Sequence, residues 1–339
     1  MVQLSDQNTD TPLSKSFALW QAADLSDALS RQTADLRFDW RNELPVLVIH
    51  EAHKLSESSV RSLRALPVVL IELSGNSAAS SHVDIVAHSE EELDALLGCI
   101  ALNPVASVTC CQVLRHSENV STDLGLLLES VAYGTLQNGN EFEEWLDGRG
   151  RRVRPEETSP TILVNAGVED VELQLNRPKL KNAFSASMRD SLVEALRGLA
   201  TEGDNRSILI TGKGSTFCIG GDPAEFGTVE NSATGHMIRS TANAAPWLDV
   251  LSERITVRIH GAAIGAGVEL AAFASRVEAN KNAWFSLPEV SMGLIPGAGG
   301  TVSISRRIGR QLTARMCLTG ERVDATTALN WGLVDALVE

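Results

Sequence analysis

Short, nearly continuous apolar runs bounded by proline or polar breaks mark the first half of the chain: Pro45-Val-Leu-Val-Ile-His50, Pro67-Val-Val-Leu-Ile-Glu72 and Val83-Asp-Ile-Val-Ala87. Runs of four or five without alternation predict strands buried on both faces, as in parallel sheets. Between them, apolar positions recur near the helical period around Ser16–Thr33, near Ser56–Leu66, over Glu90–Leu102 and around Asp123–Leu136, while Val105–Leu114 reads as one more strand. The stretch from Asp147 to Pro160 breaks every period and gathers charge, glycine and proline, as exposed connections do. Beyond it come an alternating strand at Val171–Asn176, a helix from about Ser187 to Leu199, and strands at Ser207–Thr211 and Ile255–His260. The polar run up to Leu251 has helical potential. The pattern predicts an α/β domain over residues 1–150, a linker at 151–160 and a second α/β domain over 161–339, whose strand-turn-helix rhythm suggests a spiral of ββα-like units.

Two glycine-rich turns in the second domain each carry one glutamate. The first reads Gly261-Ala-Ala-Ile-Gly-Ala-Gly-Val-Glu269, and the second runs from Leu287-Pro-Glu289 to Gly297-Ala-Gly-Gly-Thr301. Apolar and small neighbours solvate a carboxylate poorly and push its pKa toward neutrality, which suits a proton-transferring pair. Glycines at the same turns let backbone N–H groups approach a ligand closely.

A formal net charge of −14 argues against a nucleic-acid partner and against attraction to a membrane surface. No run approaches the ~20 apolar residues of a membrane span, and the N-terminus shows no basic-then-apolar leader, so a cytoplasmic protein is expected. The five cysteines, odd in number and without CxxC spacing, point to buried free thiols.

In order and spacing, Leu175-Asn-Arg-Pro178, Thr216-Phe-Cys-Ile-Gly-Gly-Asp222, both glutamate turns and the closing Ala328-Leu-Asn-Trp-Gly-Leu-Val-Asp335 resemble the crotonase (enoyl-CoA hydratase/isomerase) superfamily over residues ~160–339. The resemblance implies a crotonase-type spiral and an acyl-CoA substrate whose thioester oxygen is held by the N–H groups of Gly221 and Ala266. It implies that Glu269 activates a water, that Glu289 delivers a proton to the α-carbon, and that the Gly297 N–H helps hold the water. It also places Lys179, Lys181, Asn182 and Ala183 beside coenzyme A and Phe226, Met237 and Trp247 along the acyl group. No cofactor beyond the coenzyme A of the substrate, no metal, and a homo-oligomer (trimer or dimer of trimers) are expected.

A hydratase is the leading reading, because both carboxylates are present. Isomerisation, thioester hydrolysis and retro-aldol cleavage on the same scaffold are alternatives, as is a non-catalytic scaffold. The chain departs from the family pattern at its end: the family ordinarily continues past Gly-Leu-Val-Asp through helices that close the acyl pocket, whereas this sequence stops at Glu339. We therefore expect part of the first domain, the helix near Asp123–Leu136, to cover the site. His50-Glu-Ala-His53 is one residue short of a zinc-binding HExxH, and Gly265-Ala-Gly267-Val-Glu-Leu270 fails the dinucleotide fingerprint at its last position. Asp222 reads as a turn residue, Cys218 as a structural thiol and His260 as a structural histidine.

Overall fold

The computed structural model describes residues 17–30, 43–75, 80–150, 159–201 and 204–339. Four parallel strands, β1 (Ala18–Gln21), β2 (Val46–His50), β3 (Val69–Leu73) and β4 (Ile85–Ala87), pair in chain order, with helices α1 (Ala22–Ser30) and α2 (Glu57–Arg64) between them. Side chains alternate faces along a strand, and here both sets are apolar. Val46 and Val48 enter the main core of the molecule, while Leu47 and Ile49 pack with Leu25 and Leu63 beneath α1 and α2. That two-sided burial is why these strands read as unbroken apolar runs.

Helices α3 (Glu90–Leu102), α4 (Pro104–Ser117), α5 (Thr122–Leu136) and α6 (Asn140–Arg149) follow. Serine side chains cap the first and third of these, Ser89 accepting from Glu92 N and Ser121 from Leu124 N. The expected strand at Val105–Leu114 is instead helix α4. Its apolar run carries little periodicity because Ala106, Val108, Cys110, Cys111, Val113 and Leu114 are all buried. Pro104 occupies the first helical turn, where a missing N–H costs nothing, and that start signal outweighs β-propensity. The helix expected around Ser16–Thr33 opens as strand β1 and is helical over α1. Helix α6 runs through Arg149, so the first residues of the aperiodic stretch are helical; the linker placed at 151–160 lies, apart from its last two residues, outside the described residues.

The remainder comprises β5 (Ile162–Ala166), β6 (Asp170–Leu175), α7 (Ala186–Leu199), β7 (Ser207–Gly212), α8 (Ser232–Thr241), α9 (Ala245–Val250), β8 (Ile255–Ile259), β9 (Ala262–Ile264), α10 (Ala266–Ala271), β10 (Arg276–Asn280), β11 (Trp284–Ser286), α11 (Gly300–Thr319), β12 (Val323–Asp324), α12 (Ala325–Trp331) and β13 (Ala336–Val338). Six of the strands form a sheet in the order β13-β10-β8-β7-β6-β5, parallel except where β5 returns on β6. Strands β12, β11 and β9 form a smaller sheet. The spiral expected of the second half is present, and strand β5 is an element that the sequence pattern did not reveal.

One apolar core runs through both halves, from Val46 and Leu97 through Cys111 and Leu126 to Ile295, Val302 and Met316. A buried polar bolt joins the same parts. Asp84, beside β4, accepts Arg115 Nε and Nη2 of α4 at 2.7 and 2.6 Å and Arg310 Nη1 of α11 at 3.1 Å. The two guanidiniums also donate to the carbonyls of Leu66, Val83 and Ser81. A carboxylate shared by two arginines, all nearly inaccessible, is tolerable because each side chain is held by several hydrogen bonds, while Arg310 Nε has none among the described residues and lies 3.7 Å from Glu118 Oε2. Replacing Asp84 with alanine strands Arg115 and leaves Arg310 only its 3.7 Å approach to Glu118; we expect a loss of about 3–5 kcal/mol in a denaturant titration, with both halves destabilised in one transition.

Candidate active site

Residues 218–221 lie against residues 262–267. Cys218 N donates to Ala262 O at 3.1 Å and Ile264 N to Cys218 O at 2.9 Å, while Phe184 N binds Gly220 O and Asp222 N binds Phe184 O. These bonds use the neighbours of Gly221 and leave its own N–H without an acceptor among the described residues. The Ala266 N–H, in the first turn of α10, is likewise without one. Two unspent N–H groups on adjoining turns, one at a helix start, form a place where negative charge on an oxygen is stabilised.

The two glutamates reach the same place from different elements. Glu269 sits on α10, 2% exposed, and its Oε2 accepts the N–H groups of Ala298 and Gly300 at 2.7 and 2.9 Å. Glu289 opens a single helical turn, Glu289–Met292, and its Oε1 lies over Gly265, where a Cβ would come within 2.3 Å of it. Gly265 also has φ +49°, so only glycine fits. The other oxygen of Glu289, Oε2, is buried without a hydrogen-bond partner among the described residues. The Gly297 N–H has no acceptor among the described residues.

Burial is the main reason these carboxyls hold protons tightly. It raises Glu289 to about 7, with the charge of Glu129 adding to the effect. It raises Glu269 well above the usual carboxylate range, reinforced by the charges of Glu289 and Glu129 and opposed by the Ala298 and Gly300 N–H bonds. Cys218, fully buried, is pushed up to about 12 by burial and is no nucleophile.

The enoyl-CoA hydratase/isomerase family profile matches residues 165–339, just over half of the chain. The chain belongs to that family. It is 34% identical over 169 residues to the probable mitochondrial enoyl-CoA hydratase 2 of Arabidopsis thaliana, covering 50% of this chain and 56% of that protein. It is 36% identical over 162 residues to the 2,3-dehydroadipyl-CoA hydratase of Escherichia coli K12, covering 48% of this chain and 63% of that protein. The chain thus spans less than two thirds of the length of these relatives. A crystal structure from Mycobacterium abscessus, provisionally assigned as an enoyl-CoA hydratase/isomerase, superposes with a TM-score of 0.50 at 28% identity, over 52% of this chain and 70% of that one.

Against this family background, the remaining expected site residues separate into two groups. Lys179 and Lys181 are exposed on the turn after β6, and Lys213 joins them from the next loop, a cationic rim on an otherwise acidic chain. Asn182 is wholly buried and spends its side chain on Arg177 N, Lys213 O and Thr216 O, so it shapes the rim from within. Ala183 is buried beside it, its carbonyl bound by Arg177. Arg177 in turn pairs with Asp222 at 2.8 Å, which places Asp222 in the scaffold. His260 Nε2 lies 2.9 Å from Gly214 O. Among the described residues no group of three His, Cys, Asp or Glu is placed to hold a metal.

The sequence reading missed three residues at the glutamates, two of them from α5. Glu129, 2% exposed, accepts Gly299 N, Thr301 N and Thr301 Oγ1 at 2.7, 3.0 and 2.7 Å. Tyr133 lays its ring on Gly297, where a Cβ would stand 2.5 Å from Cδ2. Arg239 of α8 stacks 4.5 Å from that ring and donates to Ser130 and Gln137. A lone acid in the apolar run Leu126-Leu-Leu-Glu129, four residues before a tyrosine on the same helix face, was the available signal. The helix expected to cover the site therefore does so.

Helix α6 closes another side. Phe142 and Trp145 pack with Phe226 at centroid distances of 6.4 and 5.6 Å, and Phe226 Cζ lies 3.0 Å from where a Gly221 Cβ would be. Of the other expected acyl-pocket residues, Met237 is largely exposed and Trp247 packs on the core with Arg197 over its ring. An apolar cavity of about 20 Å³ behind Ala266 and Gly267, lined by Phe217, Leu248 and Leu270 among others, has room for one water-sized group. Gly297→Ala should push the Tyr133 ring off its seat. We expect a stability loss of only about 1–3 kcal/mol, measured by thermal unfolding.

Proposed function

We propose that the protein is an enoyl-CoA hydratase, adding water reversibly across the double bond of a 2-enoyl-CoA to give a 3-hydroxyacyl-CoA. The observation that carries this reading is the presence of two buried carboxylates in unlike settings beside two unspent N–H groups. Burial and mutual repulsion raise both members of this coupled pair, so one proton is shared between them; the two N–H donors favour the anion at Glu269, and the Oε2 of Glu289, unpartnered among the described residues, favours the proton there. Hydration needs that asymmetry.

In the proposed reaction the thioester oxygen lies between the N–H groups of Gly221 and Ala266. As the water oxygen bonds to C3, the C2–C3 π electrons move toward the thioester carbonyl and the oxygen gains charge, which the two N–H dipoles stabilise by about 3–4 kcal/mol per donor. Glu269 takes the proton leaving the water, oriented by the Gly297 N–H, and Glu289 gives its proton to C2. The proton on Glu269 then returns to Glu289, so the net change is one water. The lysine rim at Lys179 and Lys181 suits the phosphates of coenzyme A. No cofactor enters this scheme.

The test follows the absorbance of the conjugated enoyl thioester with crotonyl-CoA, a medium-chain enoyl-CoA and cinnamoyl-CoA. We expect absorbance to fall with a mass gain of one water, and Glu269→Gln or Glu289→Gln to slow this by about 10²–10⁴-fold. Absorbance loss without that mass gain would mean isomerisation, and silence with every thioester would sink the reading. The pH profile of kcat/KM should be bell-shaped, with both limbs belonging to the coupled Glu269–Glu289 pair, each member raised by burial: rate is lost at low pH where both carboxyls are protonated, and at high pH where neither keeps a proton.

A further inference from the structure

The peptide run that grips Glu269 is gripped from its other side. Four successive N–H groups alternate between two carboxylates: Ala298 and Gly300 donate to Glu269 Oε2, while Gly299 and Thr301 donate to Glu129 Oε1 and Oε2. The Thr301 hydroxyl adds a third bond to Glu129 at 2.7 Å. This run leads into α11, whose first N–H groups have no helical acceptor, so each carboxylate meets donors that nothing else in the helix could satisfy. Among the described residues Glu129 has no ion-pair partner. Its charged and titratable neighbours are Glu269 on α10, Glu289 on the turn after β11, Arg239 on α8 and Tyr133 on its own helix. Both of its oxygens are taken by the Gly299 and Thr301 donors.

We propose that Glu129 is a positioning residue of the active site: it fixes the Ala298–Thr301 run in the place from which that run orients Glu269, so that the acid–base site is assembled from both halves of the chain. A buried carboxylate holding three donors locks the backbone it binds, and a shift of that backbone would move both donors on Glu269 together. Displacements near 1 Å in a catalytic group can cost about 10²-fold in rate. This role rests on Glu269 serving as the base proposed above, but the locking itself does not.

The decisive variant is Glu129→Gln, which keeps the volume and removes one acceptor and the charge. We expect kcat for hydration to fall about 10- to 100-fold with KM changed by less than about threefold. Burial raises Glu129 itself to about 7, so it is from there upward that it stands as a negative charge beside Glu269 and Glu289, and its removal should move the acid limb of the pH profile to lower pH. Amide hydrogen exchange should accelerate over 298–301 and stay unchanged at β7 and β8. Thr301→Val, which deletes only the hydroxyl bond, should act in the same direction by about threefold and serves if the glutamine variant does not fold. Unchanged exchange over 298–301 overturns the proposal. So does faster exchange with kcat and the pH profile unaltered. If the native protein hydrates no enoyl-CoA, the reaction assigned above fails, and exchange in Glu129→Gln still decides whether the run is locked.

Discussion

A carboxylate removed from water must find hydrogen-bond donors or give up its charge, and that constraint organises this molecule. The donors are concentrated where helix α11 begins, because a helix start exposes N–H groups that have no partner within the helix. Glu269 and Glu129 both draw on them, from α10 and α5. Glu289 finds no such partner for its Oε2 among the described residues, so the carboxyls stand in unlike settings. The rest of the fold keeps those groups dry: α5 and α6 on one side, the six-stranded sheet and α10 on the other.

Holding helices over a site from another part of the chain requires an anchor stiffer than apolar contact alone. Asp84 provides it by engaging Arg115 in the helical layer and Arg310 in α11 at once. The small parallel sheet lends the same layer a rigid backing, since its strands present apolar side chains to both faces. Exposed ion pairs such as Arg306 with Asp249 contribute little by comparison.

Much of the second half was legible in the sequence because its signals are local. Glycines at 261–267 and 297–300 announce close backbone approach, and Glu269 and Glu289 stand out as acids among small apolar residues. The strands at Val46–His50 and Val69–Leu73 were equally plain from their β-branched runs. Helix α4 was not, since an apolar run buried on every side has no period by which to tell helix from strand, and only Pro104 spoke for the helix. Glu129 and Tyr133 were missed for a different reason. Their meaning comes from what they touch across the fold, and no spacing within residues 122–136 encodes Gly297 or Thr301.

The covering helices come first in the chain and the turn they grip comes much later: Glu129 and Thr301 are 172 residues apart in sequence. During synthesis the cover therefore leaves the ribosome well before the groups it must shelter. Closing so long a loop is entropically costly and slow, so these contacts belong to the late stage of folding. Until then the faces of α4 and α5 that meet α11 have no native partner, and the nascent chain carries them as an exposed apolar surface.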